Sequence, residues 1–118
     1  MTSKSYVPDA GDIVWLSFDP QVGHEQAGHR PALVLSPAAY NEKTSLMVCC
    51  PMTTQTKNYP FEVVIAGTPP SAVLADQVKS LDWQKRRATR KGTVSAAELA
   101  DVRAKIRALI GCEAARES

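Results

Sequence analysis

Apolar residues along this chain fall in short runs rich in β-branched and aromatic side chains, separated by clusters of Pro, Gly, Asn and Asp. The first run is DIVWLSFD, residues 12–19, where apolar positions follow one another with little polar alternation, so the pattern predicts a strand apolar on both faces. PALVLS (31–36) is a second run, SLMVCCP (45–51) a third and FEVVIA (61–66) a fourth. Between the second and third, PAAYNEKT (37–44) reads as a short helical turn or an irregular connection. SAVLADQVKSLDW (71–83) holds one longer strand or two short ones, and Gly67 with Pro69-Pro70 punctuates the approach to it. Short strands with turn signals between them predict a mainly β fold: a small, strongly curved sheet or partly open barrel.

The period then changes. In SAAELADVRAKIRALIG (95–111), Leu99, Val102, Ile106, Leu109 and Ile110 recur at helical spacing, while Arg103, Lys105 and Arg107 point elsewhere. Ser95 and Glu98 have the S-x-x-E spacing of a capping box, in which each side chain satisfies a backbone N–H that the first turn leaves unpaired. Gly111 is a natural stop. The apolar stripe of this helix is expected to pack on the sheet or on a second subunit. CEAARES, after it, is expected to fray, giving one domain over residues 1–111 and a short tail over 112–118.

Length and composition narrow the class. A chain of 118 residues is one ordinary domain, and a domain of that size buries roughly two-thirds of the surface its unfolded chain exposes. With 44% hydrophobic and 22% charged residues it has a globular balance. No apolar run approaches the ~20 residues of a membrane helix, and MTSKSYVPDAGD lacks the apolar stretch of a secretory signal. The expectation is a cytoplasmic protein that does not engage a membrane. Cys49 and Cys50 are adjacent inside an apolar run and Cys112 lies near the end, which offers no disulfide framework. They read as buried thiols packed as small hydrophobes. His24 and His29 with Cys49 and Cys50 would make a zinc set, but only the two histidines have a ligand-pair spacing, so neither a metal nor any other cofactor is expected.

A net charge of +2 does not by itself mark a nucleic-acid protein, but its distribution is uneven. WQKRRATRK (83–91) gathers Lys85, Arg86, Arg87, Arg90 and Lys91 with no acid among them. The block reads as a footprint for phosphates, as a surface for an acidic protein, or as a solvated connector before the last helix.

The candidate chemistry lies in two loops. DPQVGHEQAGHR joins the first two strands over about a dozen residues, a length that in a compact domain goes with function or disorder. It carries both histidines of the chain, with Glu25 between them. Pro31 biases Arg30 toward extended geometry at the mouth of the second strand, so this guanidinium is held more rigidly than the loop before it. CPMTTQTKNYP (50–60) follows the third strand and brings the Thr53 and Thr54 hydroxyls, the Gln55 and Asn58 amides and the Lys57 ammonium. If these strand ends meet at one edge of the sheet, Arg30 and Thr53 face one reacting group; a plain polar turn accounts for the same residues equally well.

GDIVWLSFDP, EQAGHRPALVLSP, YNEKTSLMVCCPMTTQTKNYPFEVV, VLADQVKSLDW and GTVSAAELADVRAKIRALIG together resemble the MazF family of toxin endoribonucleases, from about Tyr6 to Gly111. The resemblance implies an SH3-like curved sheet with flanking helices and a C-terminal α-helix, a homodimer, and metal-independent, sequence-specific cleavage of single-stranded messenger RNA that arrests translation and growth. It also implies a cognate MazE-like antitoxin with an acidic, disordered tail. The family's catalytic arginine falls on Arg30, its catalytic threonine on Thr53 and its loop acid on Glu25. By the same analogy Gln26, His29, Lys57, Gln77 and Lys79 bind RNA, with Arg86 and Arg87 along the backbone path. Toxins of the same small-barrel architecture that bind and poison DNA gyrase are the alternative reading, because a fold does not decide function.

RNA carries its own nucleophile, the 2′-OH. A nuclease without metal needs to align that oxygen with the phosphorus, neutralise the growing charge and manage two protons. Arg30 suits the charge, with two parallel hydrogen bonds to phosphate oxygens, and Thr53 adds a neutral donor. Glu25 or His29 is then the natural proton acceptor, since arginine stays protonated. The expected ends are a 2′,3′-cyclic phosphate and a 5′-hydroxyl.

Overall fold

A computed structural model describes residues 6–18, 28–67 and 69–111. In chain order these form β1 (Asp12–Phe18), β2 (Gly28–Val34), α1 (Ala38–Thr44), β3 (Leu46–Thr53), β4 (Glu62–Ile65), β5 (Ser71–Leu74), a 3₁₀ turn (Ala75–Gln77), β6 (Lys79–Asp82), β7 (Thr89–Thr93) and α2 (Ala96–Ile110). All strand pairs are antiparallel, in the order β4-β5-β3-β2-β1-β7, with β6 also on β3. The expected mainly β fold, a curled antiparallel sheet closed by a C-terminal helix, is the one found.

Adjacent residues of the central strands go to different cores. Ile13, Leu33 and Cys50 belong to one buried cluster; their chain neighbours Val14, Ala32, Val34 and Cys49 belong to another. Since successive side chains of a strand point to opposite faces, the sheet is covered on both sides. This is why β1 and β3 lack polar alternation. Burial pushes the Cys49 thiol up to about 11 and that of Cys50 up to about 12, as expected of packed rather than reactive cysteines.

The segment 71–83 resolves into two short strands. β5 and β6 both run along the edge of β3 opposite β2, Met52 pairing with Val73 and Cys49 with Lys79, and the 3₁₀ turn between them takes up the bend. The connection at 37–44 is a true helix, α1. Asn41 within it is fully buried, and its Nδ2 donates to the carbonyls of Pro8 (2.8 Å) and Ser36 (2.9 Å).

One element departs from the sequence reading. Part of the basic block is neither a plain connector nor a loop: after a turn over 83–87, residues Thr89–Thr93 form β7, paired with β1. Its side chains are mostly exposed, so backbone pairing at a sheet edge holds it without the apolar signature a strand usually shows. The stripe of α2 is buried over only part of its length. Val102 is fully buried, and Leu99 and Ile106 pack on the first cluster, as expected of the sheet-facing part, while Leu109 and Ile110 are exposed in the single chain. The capping box itself is present, with Ser95 Oγ accepting from the Glu98 N–H at 3.1 Å and Glu98 Oε1 from the Ser95 N–H at 2.9 Å. The frayed tail expected over 112–118 lies outside the described residues, as does Cys112. Among the described residues no helix is long and apolar enough to cross a membrane.

Candidate active site

The strand ends at which the candidate residues sit do converge. β2 and β3 pair with Ala32 opposite Pro51. Carrying that register two residues further sets Arg30 opposite Thr53, just past the last paired residues, where cross-strand side chains are near neighbours. Both line one open cleft of about 670 Å³. Its walls come from β1 (Trp15), the start of β2 (Gly28, His29, Arg30), the end of β3 (Thr53) and the residue after it (Thr54), the turn after β4 (Ala66, Gly67) and β7 (Lys91).

Gly28 has φ +129, a backbone conformation that L side chains rarely adopt, and a side chain there would be strained whatever the space around it. The glycine therefore sets how the chain comes out of the loop into β2. Thr53 Oγ1 accepts the backbone N–H of Gln55 at 3.0 Å. With a lone pair so occupied, the hydroxyl hydrogen is what the group can offer a ligand. The Nζ of Lys91 lies 5.1 Å from the centroid of the Trp15 ring, a cation–π distance, and the His29 ring is tilted against Trp15 at 6.3 Å. The cleft thus combines two cations, a hydroxyl donor and an aromatic surface. That set suits an anion bearing a flat, stackable group.

Of the residues singled out in the sequence, the cleft unites Arg30, Thr53 and His29. Lys57 and Gln77 line a neighbouring cleft that shares Thr53 with the first. Lys79 lies on β6 opposite Cys49 and lines neither cleft. Arg86 and Arg87 are in the turn before β7; the Arg86 carbonyl accepts the Ser17 N–H at 2.8 Å, and Arg87 takes a left-handed φ of 52. They too line neither cleft. Glu25 and Gln26 lie outside the described residues, with His24.

Among the cleft residues that sequence reasoning did not assign, Trp15 and Lys91 are the aromatic and the cation. Lys91 was within reach as part of the basic block; its partner Arg90 turns to Asp12 instead, at 3.9 Å. Trp15 gave no separate signal, because in a run apolar on both faces it looks like any core residue.

Comparison with known proteins covers most of the chain. Residues 9–110 match the family described as PemK-like, MazF-like toxin of type II toxin-antitoxin system. The endoribonuclease toxin MazF of Escherichia coli K12 is 60% identical over 107 residues, 90% of this chain and 96% of that protein. A crystal structure of MazE-MazF from Deinococcus radiodurans superposes with a TM-score of 0.87 at 54% identity, covering 92% of this chain and 100% of that one. A mycobacterial endoribonuclease in complex with its cognate antitoxin shares the fold, with a TM-score of 0.71 at 22% identity over 92% of this chain and 99% of that one.

Proposed function

This chain belongs to the PemK-like, MazF-like toxin family of type II toxin-antitoxin systems, and on that premise we propose that it cuts single-stranded messenger RNA at short sequences without a metal. The observation that carries the reading is the meeting of Arg30 and Thr53 on one open cleft. Around a phosphodiester laid there, the Arg30 guanidinium donates to the non-bridging oxygens and stabilises the charge that grows as the 2′-OH attacks the phosphorus. Thr53 donates its hydroxyl hydrogen to the same group. The phosphorus–5′-oxygen bond breaks and the departing oxygen takes up a proton from water, leaving a 2′,3′-cyclic phosphate and a 5′-hydroxyl. The proton acceptor comes from Glu25 or from His29, of which His29 stands on the cleft wall.

Lys91 and Trp15 extend the grip to the neighbouring nucleotide, one through charge and the other through stacking. Single strands are the substrate because base edges can be read only when unstacked; the major groove of duplex RNA is too narrow. The whole activity rests on the domain over residues 1–111, acting as a homodimer in the cytoplasm, where messenger RNA is translated. A cognate MazE-like antitoxin with an acidic tail blocks it. A gyrase-binding toxin of the same fold would have no use for a cation and a hydroxyl facing one another across a cleft.

The test is incubation of the purified protein with a long single-stranded RNA in excess chelator, followed by sequencing of the new ends. Cyclic-phosphate and 5′-hydroxyl ends at a short recurrent sequence are expected, and 2′-deoxy substitution at the cut position should abolish cleavage. Arg30→Ala should lower turnover by about 10²–10³-fold or more while leaving the protein folded. RNA left intact by the wild type overturns the reading, and near-normal cleavage by the variant removes Arg30 from the mechanism.

A further inference from the structure

A second cleft, of about 350 Å³, adjoins the first and shares Thr53 with it. Its chemistry is different. Its charge is net negative, with the carboxylates of Glu62 and Asp76 against the single ammonium of Lys57; the Gln55 and Gln77 amides both donate and accept, and Tyr59 supplies an exposed ring. Phosphate would be repelled by such a wall, whereas a nucleobase has both a face to stack and hydrogens to donate.

The wall is also held in place before any ligand arrives. The Tyr59 phenol donates to Asp76 Oδ2 at 2.7 Å, and its ring leans on Phe61 at 6.1 Å between centroids. The loop that carries it is tied down by the Lys57 N–H, which reaches both oxygens of Glu62 at 3.0 and 3.1 Å, and by the Glu62 N–H, which donates to the Tyr59 carbonyl at 3.0 Å. Glu62 is thereby committed to the backbone. Asp76, with about four lone-pair sites on its carboxylate, keeps acceptor capacity beyond the phenol.

Resting on the RNA cleavage proposed above, we infer that this second cleft seats the base of a nucleotide flanking the scissile phosphate, stacked on Tyr59, with Asp76 accepting from its exocyclic amino group. Adenine, cytosine and guanine carry such a group. Uracil presents a carbonyl oxygen at the place where cytosine has its amino group, so it meets the carboxylate lone pair to lone pair and is rejected. Tyr59 and Asp76 are then specificity-determining residues, separate from the charge stabilisation at Arg30.

The experiment maps the cut sites of wild type, Asp76→Asn and Asp76→Ala on one long RNA, and compares kcat/KM on oligonucleotides that differ only by cytosine or uracil beside the cut. The asparagine carboxamide oxygen still accepts the Tyr59 phenol, which preserves the local structure, while its N–H can donate to the uracil oxygen. The wild type should show one flanking position depleted of uracil. Asp76→Asn should lower the cytosine-over-uracil ratio there by about tenfold, within the roughly 5- to 150-fold that one base-edge contact discriminates, with preferences at other positions unchanged. A wild type that accepts uracil at every flanking position overturns the inference, as does uracil exclusion that persists in both variants. RNA left uncut by the wild type refutes the nuclease reading itself; RNA cut with an unmoved preference refutes only the base pocket.

Discussion

At the scale of single residues, Asn41 shows how much one buried polar group can organise. Its Nδ2 reaches Pro8 and Ser36, its Oδ1 accepts the Ser36 hydroxyl at 2.6 Å, and its carbonyl takes both the Trp83 indole N–H (2.8 Å) and the Ser45 N–H (2.9 Å). Ser36 Oγ in turn accepts the Val48 N–H at 2.8 Å. This one network ties the N-terminal segment, β3 and the turn before β7 to α1. Asn41→Ala keeps the backbone bonds but leaves the Pro8 and Ser36 groups without this partner in a buried site, so a loss of about 2–4 kcal/mol is expected in urea unfolding. A loss below about 0.5 kcal/mol would mean that water replaces the side chain at no cost. Nothing in PAAYNEKT announced this role, because an asparagine near a proline is ordinarily a turn residue.

At the scale of elements, α2 is fastened to the sheet through its own cap. Glu98 uses one oxygen for the Ser95 N–H and the other for the Ala66 N–H at 3.0 Å, at the end of β4 beside the cleft. These two backbone donors, Ser95 first, hold its carboxyl below the ordinary carboxylate range. A depressed value in the folded state means that the stabilisation is present at neutral pH and is lost as pH falls through that value. Thermal melts should therefore show Glu98→Gln less stable than wild type at pH 7, with the gap closing toward pH 3. A gap that stays constant with pH would show that ionised Glu98 adds nothing. The box was legible in the sequence because Ser95 and Glu98 are three residues apart, whereas the bond to Ala66 spans 32 residues and had no sequence signature.

At the scale of the whole molecule, a modest net charge of +2 conceals an uneven distribution of charge between two adjoining clefts. Arg30 and Lys91 face one cleft, while Asp76 and Glu62 face its neighbour. An acidic antitoxin tail lying along the first cleft would pair with the same cations proposed to grip RNA, folding as it binds. Competition between the two is the expected outcome. RNA affinity measured by fluorescence anisotropy should fall as antitoxin is added, and added salt should weaken both complexes. Undiminished RNA affinity of the antitoxin-bound toxin would place the inhibitor elsewhere.

What the sequence determined by itself was local: which apolar stretches form strands, where α2 begins and ends, and that Cys49 and Cys50 are packed. Those follow from periods of two and 3.6 and from caps a few residues long, information contained within one segment. Tertiary structure alone decided that the register of β2 on β3 sets Arg30 against Thr53, that β7 brings Lys91 over Trp15, and that Tyr59 and Asp76 close a second cleft 17 residues apart along the chain. Each of these depends on how strands far apart in sequence align and curl. A polar edge strand such as β7, held by backbone hydrogen bonds rather than by buried side chains, writes no hydrophobic pattern from which that alignment could be read.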